Sequence, residues 1–483
     1  LFMRLYELLD GIAAPGELDG VGDFSVSGIH SDSREELGEG SVFVAIKGER
    51  FDGHDAVPQL SKKGVGAFIV ERSLGLENEI IVENSRLALS RLWANYYHNP
   101  ERELRLIGVT GTNGKTTTVT VIKGLLTLMG RRCGLIGTCG CEIGDELFPS
   151  DRTTPEPKEF FSMLDRMRKS GCTDVVMEVS SQGLSQYRLA DAFFELAVFT
   201  NLTQDHLDVH GSMESYYQAK KLLFSRCGRA LINIDDSYGK RLAGELSCPV
   251  FSYYCRDFSA DYSASGAALS ARGSEFWYSS PKKSFKTRIG LPGSYNISNC
   301  LAALASCELL GCDPGEAVRL IAGIKGVRGR FEPVDTGRDF HVIIDYAHTP
   351  DALENILSCL KELAKGRIVC LFGCGGNRDA KKRPLMAKAA AKYADLLVIT
   401  SDNPRDEEPH SIIVDILEGL RDTEVDFVEI DDRREAIFWA VTNARSEDII
   451  LLAGKGHEDY QILPGGVKIH FDEREIVNEA LKA

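Results

Sequence analysis

The stretch Val109-Thr110-Gly111-Thr112-Asn113-Gly114-Lys115-Thr116-Thr117 has the residue types of a phosphate site. A glycine-rich turn between a strand and a helix turns backbone N–H groups and a helix N-terminus toward phosphate oxygens. Lys115 would then meet the β/γ-phosphates, and the Thr116 hydroxyl would meet Mg²⁺. The spacing is a variant: Val109 stands where a glycine is usual, six residues before the lysine. A metal needs a second hard ligand. Glu178 is placed for that, at the end of the apolar run Val175-Val176-Met177. Taken alone, Glu178 is as readily a surface acid. Past Val198-Phe199, residues 200 to 211 crowd polar and ionisable groups together, His206 among them. By itself His206 reads as a surface histidine, and Lys220 as a solvated helix charge.

These groups need elements to hold them. Residues 104–109 read as a strand. The helix starting near Lys115 carries Val119, Ile122, Leu126 and Met129 at helical spacing. Further strands are expected at 174–179, 196–200 and 230–234, with helices between them, which predicts a mostly parallel sheet. The Ser- and Tyr-rich residues 250–292 predict an antiparallel excursion. Nearer the start, strands at 41–46 and 66–70 among turn clusters predict a small α/β domain. After Arg330, strands at 341–345, 367–372, 396–400 and 448–453 alternate with helices, as in a doubly wound sheet. The expected architecture is α/β in three domains. They are a small N-terminal domain over 1–98, a central P-loop domain with a mostly parallel sheet over 99–332, and a C-terminal Rossmann-like doubly wound domain over 333–483.

Composition narrows the class. The 483 residues are 43% hydrophobic and 26% charged, ordinary for a globular chain. The formal net charge of −15 repels a phosphate backbone, and no basic block carries aromatic residues, so no nucleic-acid partner is expected. No apolar run reaches the length of a membrane span, and the first residues lack a signal-peptide pattern. Thirteen cysteines without a C-x-x-C pair predict reduced thiols and a cytoplasmic setting.

Segments along most of the chain, in order, resemble the Mur ligase family. They are Gly111 to Thr117, Glu178-Val179-Ser180-Ser181, Asn201 to His210, Tyr295-Asn296-Ile297-Ser298-Asn299, Gly329-Arg330-Phe331-Glu332 and Asp345-Tyr346-Ala347-His348-Thr349-Pro350. The resemblance is tightest to the members that add a diamino acid. It rests there on Thr153-Thr154-Pro155-Glu156, Gln186-Tyr187-Arg188, residues 372–379, Asp402-Asn403-Pro404-Arg405 and residues 454–459. It implies an ATP-dependent amide ligase that joins the D-Glu γ-carboxylate of UDP-MurNAc-L-Ala-D-Glu to meso-2,6-diaminopimelate for peptidoglycan precursors. The alternative is a sister ligase that adds L-lysine or another amino acid. A P-loop switch or motor is a third reading, disfavoured by the missing basic track.

The resemblance also implies roles. The first domain would hold the uridine nucleotide, with Ser33 and the turn Glu49-Arg50-Phe51 nearby. Thr153, Thr154, Ser180, Gln186 and Arg188 would grip the muramyl dipeptide. Gly111, Thr112, Asn113, Gly114, Lys115, Thr116 and Thr117 would bind ATP, with Asn296 by the adenine, Arg330 by the phosphates and Asp345 by the ribose. Thr116, Glu178, His206 and Lys220, the last as a carbamate, would hold Mg²⁺. Lys115, Lys220, His206 and Arg330 would be the catalytic set. Arg378, Asp402, Asn403, Pro404, Arg405, Gly454 and Glu458 would bind diaminopimelate. Gln182 departs from the family, whose members commonly have His there; glutamine keeps a donor and an acceptor but does not titrate.

The chemistry explains the choice of groups. A carboxylate is a poor acyl donor until ATP converts it to an acyl phosphate, so cations must stabilise the moving phosphoryl group. The far end of diaminopimelate carries a carboxylate that lysine lacks. A guanidinium fork at Arg405 fits that group, whereas the bland reading makes Arg405 a surface partner of Glu407 or Glu408.

Overall fold

The computed structural model describes residues 3–14, 18, 21–48, 51–150, 152–255, 260–270, 273–324 and 326–483. Of the turn expected near the uridine nucleotide, Glu49 and Arg50 lie outside the described residues. The chain divides into two compact units. One comprises Leu1–Thr110, Gly130–Ala197 and Ala219–Ala230; the other comprises Gly111–Met129, Val198–Gln218 and Leu231–Ala483.

The first unit holds a four-stranded parallel sheet in the order Gly28–His30, Ser41–Val44, Ala67–Val70, Glu79–Ile81. Phe43, Phe68, Val57 and Leu60 are buried against one another there. The same unit carries the parallel strands Cys133–Gly137, Asp174–Glu178 and Arg105–Thr110, with Asp174–Glu178 in the middle. A hairpin of Gly140–Ile143 and Glu146–Phe148 extends that sheet antiparallel. Every residue of Asp174–Glu178 is buried, which is why the run reads as continuous rather than alternating.

In the second unit, helix Lys115–Leu128 follows the phosphate loop, with Val119, Ile122 and Leu126 buried. The stretch expected to be antiparallel is so only in part. Val250–Tyr254 pairs parallel with Tyr262–Ser270, and only then do Gly273–Ser279 and Ser284–Ile289 follow antiparallel.

The C-terminal part has six strands in the order Glu332–Val334, His341–Asp345, Ile449–Ala453, Ile368–Phe372, Leu396–Ile399, Asp426–Glu429. All neighbours are parallel except the first pair. Helices Pro350–Leu363, Lys382–Ala391 and Pro409–Leu417 cover one face, and Arg433–Thr442 and Glu473–Ala480 cover the other. This is the doubly wound arrangement expected. Its strand ends place the loops at residues 373–378, 401–405 and 454–458 together at one edge, where α/β sheets bind ligands.

Candidate functional site

In the second unit, Gly111 has φ +149° and Gly114 has φ +84°. A Cβ on Gly111 would collide with the Thr200 hydroxyl, and one on Gly114 with the Asn299 side-chain oxygen. Glycine is therefore needed at both positions. Thr112 N donates to Asn201 O at 2.9 Å, Asn113 N to Asn201 Oδ1 at 2.9 Å, and Thr203 N to Thr112 Oγ1 at 3.0 Å. Lys115 Nζ folds back over the loop, donating to Gly111 O at 2.9 Å and Thr112 O at 2.8 Å. Arg330 donates to the Thr116 hydroxyl at 3.2 Å and lies over the Tyr346 ring, while its buried Nε has no hydrogen-bond partner among the described residues.

Beside this loop a cavity of about 270 Å³ is lined by Asn113, Gly114, Thr117, Asn296, Arg330 and Asp345. The residues expected to bind ATP thus gather at one place. Asn296 is buried and bonded to Pro292 O and Asn299. Asp345 accepts from Phe331 N at 2.7 Å and Ala347 N at 2.8 Å, so its carboxylate also pins the backbone where the sheet begins. Burial pushes its pKa up, and the Arg330 guanidinium opposes the rise.

A second cavity, of about 160 Å³, lies at the carboxyl edge of the six-stranded sheet, and Arg378, Asp402, Asn403, Arg405, Gly454 and Glu458 line it. Pro404 is buried between two of them. Arg405 takes φ +54°, and its NH1 donates to Gly376 O at 2.9 Å and Asn403 O at 3.4 Å. It is not the surface partner of the neighbouring acids: Glu407 pairs with Arg383 at 2.9 Å, and Glu408 caps the following helix. Burial, and then the Arg378 cation, lower the Arg405 pKa. Two guanidinia that repel each other across one cavity are relieved by a bound anion.

The other end of this cavity is acidic. Lys455, fully buried, reaches Asn403 Oδ1 at 3.1 Å, Glu458 Oε2 at 3.2 Å and Asp402 Oδ1 at 3.5 Å. Burial opposes charge on Asp402, but Lys455 and Arg433 outweigh it and hold the carboxyl below its usual range. Burial and the Asp402 charge push Glu458 up. Gly454, at φ +115°, leaves room for Asp402; a Cβ there would stand 2.8 Å from Asp402 Oδ2.

His206 also lines this second cavity. It starts a short helix at φ +53° and lies 3.4 Å from Asp205, which His348 and Lys382 each approach at 3.8 Å. Burial works against the Asp205 charge, yet His206, His348 and Lys382 hold its pKa at about 2.

In the first unit, Glu178 is buried, not a surface acid. It accepts from Thr138 N at 2.8 Å and Thr138 Oγ1 at 3.2 Å. Thr138 Oγ1 lies 3.0 Å from Thr153 Oγ1, and Thr154 Oγ1 donates to Glu178 O at 3.0 Å and accepts from Ser180 N at 2.9 Å. Arg188 is buried, bonded to Thr154 O at 2.9 Å and Gln186 Oε1 at 2.6 Å, and paired with Glu156. Thr153, Thr154, Ser180, Gln186 and Arg188 therefore form one network. Ser33 sits in a half-buried turn after strand Gly28–His30. Lys220 is 2% exposed, which overturns its reading as a solvated charge. A buried carboxylate and a buried lysine, the latter able to carry a carbamate, are the hard oxygen donors that Mg²⁺ prefers, as is the Thr116 hydroxyl of the second unit.

Sequence reasoning missed Thr138, Asp205, Lys382 and Lys455. Asp205 and Lys455 stood inside quoted motifs, and a charged residue flanked by candidate ligands was the available signal. Thr138 had none.

Three family descriptions match the chain: Mur ligase family catalytic domain over residues 25–97, Mur ligase middle domain over 109–307, and Mur ligase glutamate ligase domain over 329–456. A UDP-N-acetylmuramoyl-L-alanyl-D-glutamate–2,6-diaminopimelate ligase of Caldanaerobacter subterraneus subsp. tengcongensis is 43% identical over 483 residues, 99% of each chain. One of Syntrophomonas wolfei is 42% identical, again covering 99% of each. A solved structure of a ligase with that same name is 33% identical, covers 100% of this chain and 99% of its own, and superposes with a TM-score of 0.70.

Proposed function

We propose, from the premise that this chain belongs to the Mur ligase family, that it joins meso-2,6-diaminopimelate to the D-Glu γ-carboxylate of UDP-MurNAc-L-Ala-D-Glu at the expense of ATP. It is an ATP-dependent amide ligase of peptidoglycan synthesis. The observation that carries the amino-acid choice is the second cavity. Two guanidinia, Arg378 and Arg405, line it together with Asp402, Asn403 and Glu458, a set of groups that suits a distal centre bearing both a carboxylate and an ammonium.

The roles follow. The loop 111–117 cradles the phosphates of ATP, with Lys115 and Arg330 countering charge on the transferred phosphoryl. Asn296 and Asp345 hold the nucleoside. Thr153, Thr154, Ser180, Gln186 and Arg188 orient the dipeptide, and residues 1–98, through Ser33, hold its uridine end. Residues 99–332 form the ATP domain, and residues 333–483 the amino-acid domain. Thr116, Glu178, His206 and a carbamylated Lys220 are the ligands assigned to Mg²⁺. The ion's contribution is to shield the two anions that must approach each other. Arg405 selects the diamino acid by its distal carboxylate. Among the described residues, no helix is long and apolar enough to cross a membrane, which accords with work on water-soluble nucleotide substrates in the cytoplasm.

The test is direct. Purified protein is given ATP, Mg²⁺ and UDP-MurNAc-L-Ala-D-Glu, with meso-diaminopimelate or L-lysine. Phosphate release with tripeptide formation should favour diaminopimelate. Preference for lysine overturns the substrate assignment, and ATP turnover indifferent to both overturns the ligase.

A further inference from the structure

The carboxyl-edge cavity is made by three loops, and two of them follow strands that do not touch. Leu396–Ile399 and Ile449–Ala453 are separated by Ile368–Phe372. At an interstrand spacing of about 4.8 Å, their ends lie about 10 Å apart. No backbone ladder can join them. Side chains join them instead: Lys455 and Glu458 reach Asp402 and Asn403 at the cavity face, with Asn403 Nδ2 donating to Glu458 Oε2 at 2.9 Å, and Arg433 ties the backbones of both loops. Arg433 is 1% exposed, and its NH1 donates to Ser401 O at 3.2 Å while its NH2 donates to Ala453 O at 2.8 Å. Ser401 directly precedes Asp402, and Ala453 directly precedes Gly454. The guanidinium therefore grips both loops one residue before residues that line the cavity, Asp402 and Gly454. Glu473, also buried, holds the guanidinium in turn, bonding Nε at 2.9 Å and NH2 at 2.8 Å.

We propose that Arg433 is a positioning residue for amino-acid selection: by bonding the backbone of both loops it sets, together with the Lys455 and Asn403 contacts, the separation of the 401–405 and 454–458 loops, and with it the span between Arg405 and Glu458. The inference rests on the function proposed above. A guanidinium suits the task because its fork is planar and its donors point in fixed directions, so two carbonyls and one carboxylate can be served at once. Arg433 touches no substrate. Its effect reaches the reaction through where Asp402, Asn403, Arg405, Gly454 and Glu458 come to stand. The cap supports this. Asp432 accepts from Glu435 N at 2.9 Å, so the helix Arg433–Thr442 begins at the gripping residue and carries it rigidly.

Removing Arg433 alone would leave Glu473 buried and unpaired, and the chain could fail to fold for that reason. The test therefore uses two variants, Arg433→Met and the double change Arg433→Met with Glu473→Leu, which removes both charges. Steady-state phosphate release gives KM for each of the three substrates and kcat. A shift of about an ångström in reacting groups costs on the order of a hundredfold, so the double variant should raise KM for meso-diaminopimelate by tenfold or more, on the order implied by lost outer-shell support. KM for ATP and for UDP-MurNAc-L-Ala-D-Glu should move by less than about twofold, and the preference over L-lysine should shrink. Thermal melting should place the double variant near the wild type. A folded double variant with an unchanged KM for diaminopimelate overturns the inference, as does an equal rise in all three KM values. A double variant too unstable to assay also overturns it, because the pair then serves the fold. Wild-type protein inactive with diaminopimelate overturns the proposed function instead, so the two failures are distinguishable.

Discussion

The glycine loop at 111–117 and the carboxyl-edge cavity, proposed here to take phosphate and amino acid, lie in the same unit and are built in opposite ways. The loop is local: seven consecutive residues, two glycines in conformations other residues resist, and backbone bonds to residues 200–203. The cavity is dispersed: Arg378, Lys382 and Arg405 line it with acids that include Asp205, Asp402 and Glu458, the buried Lys455 ties Asp402 to Glu458, and Arg433 bonds the backbone of two of its loops. A phosphate is recognised by a shape that a short stretch of chain can adopt. A molecule with a distant carboxylate and ammonium needs charges set at a distance, and only tertiary packing sets them. Loss of one cavity charge should therefore disturb folding as well as selectivity, whereas loss of the loop's Lys115 charge should act on rate.

Lys455→Met is expected to have the largest effect. It leaves Asp402 and Glu458 together without their ammonium, and breaking a buried pair in this way costs about 3–5 kcal/mol of stability. Urea unfolding measures it, and a loss under about 1 kcal/mol would show that the cavity charges do not hold the fold. Lys115→Ala comes next. It should lower kcat about 10²- to 10³-fold, as for loss of a preorganised charge-stabilising donor. The loss should be equal whichever amino acid is supplied, and a loss that differs between amino acids would join two regions held here to be separate.

Gly114→Ala should cost about 1–2 kcal/mol, because an alanine must then hold a left-handed conformation and displace Asn299. Thermal melting reads it. A further effect concerns pH. Burial, then Arg330, Arg328 and Arg474, depress the His457 pKa from 6.5 to about 4. Between those values the unfolded chain binds more protons than the folded one, so stability should rise as pH rises from about 4 to 6.5. His457→Gln should flatten that slope in urea titrations, and an unchanged slope would remove His457 from the account.

The sequence was most informative where structure is local. The strands around 105–110, 174–178, 341–345 and 449–453 were legible to within a residue because each has a short apolar centre, bounded by polar or charged residues in the first three. The glycine loop announced itself by composition. The parallel pairing of Val250–Tyr254 did not, since alternation gives no strand direction. Lys220 looked like a solvated charge because helical position does not tell which face packs inward. Arg433 carried no spacing signal at all: its partners stand 20 to 40 residues away, joined only once the sheet is wound, and Lys455 has one near partner, Glu458, but its others are 52 and 53 residues away. What resemblance supplied was the list of ligands; what the fold adds is how their charges are balanced.

The central claim is that the Arg405 guanidinium chooses the amino acid by its far carboxylate. The direct measurement is the ratio of kcat/KM for meso-diaminopimelate to that for L-lysine, in the wild type and in Arg405→Ala. The account predicts a fall in that ratio worth at least about 2 kcal/mol, roughly thirtyfold, with lysine turnover little changed. An unchanged ratio would contradict it.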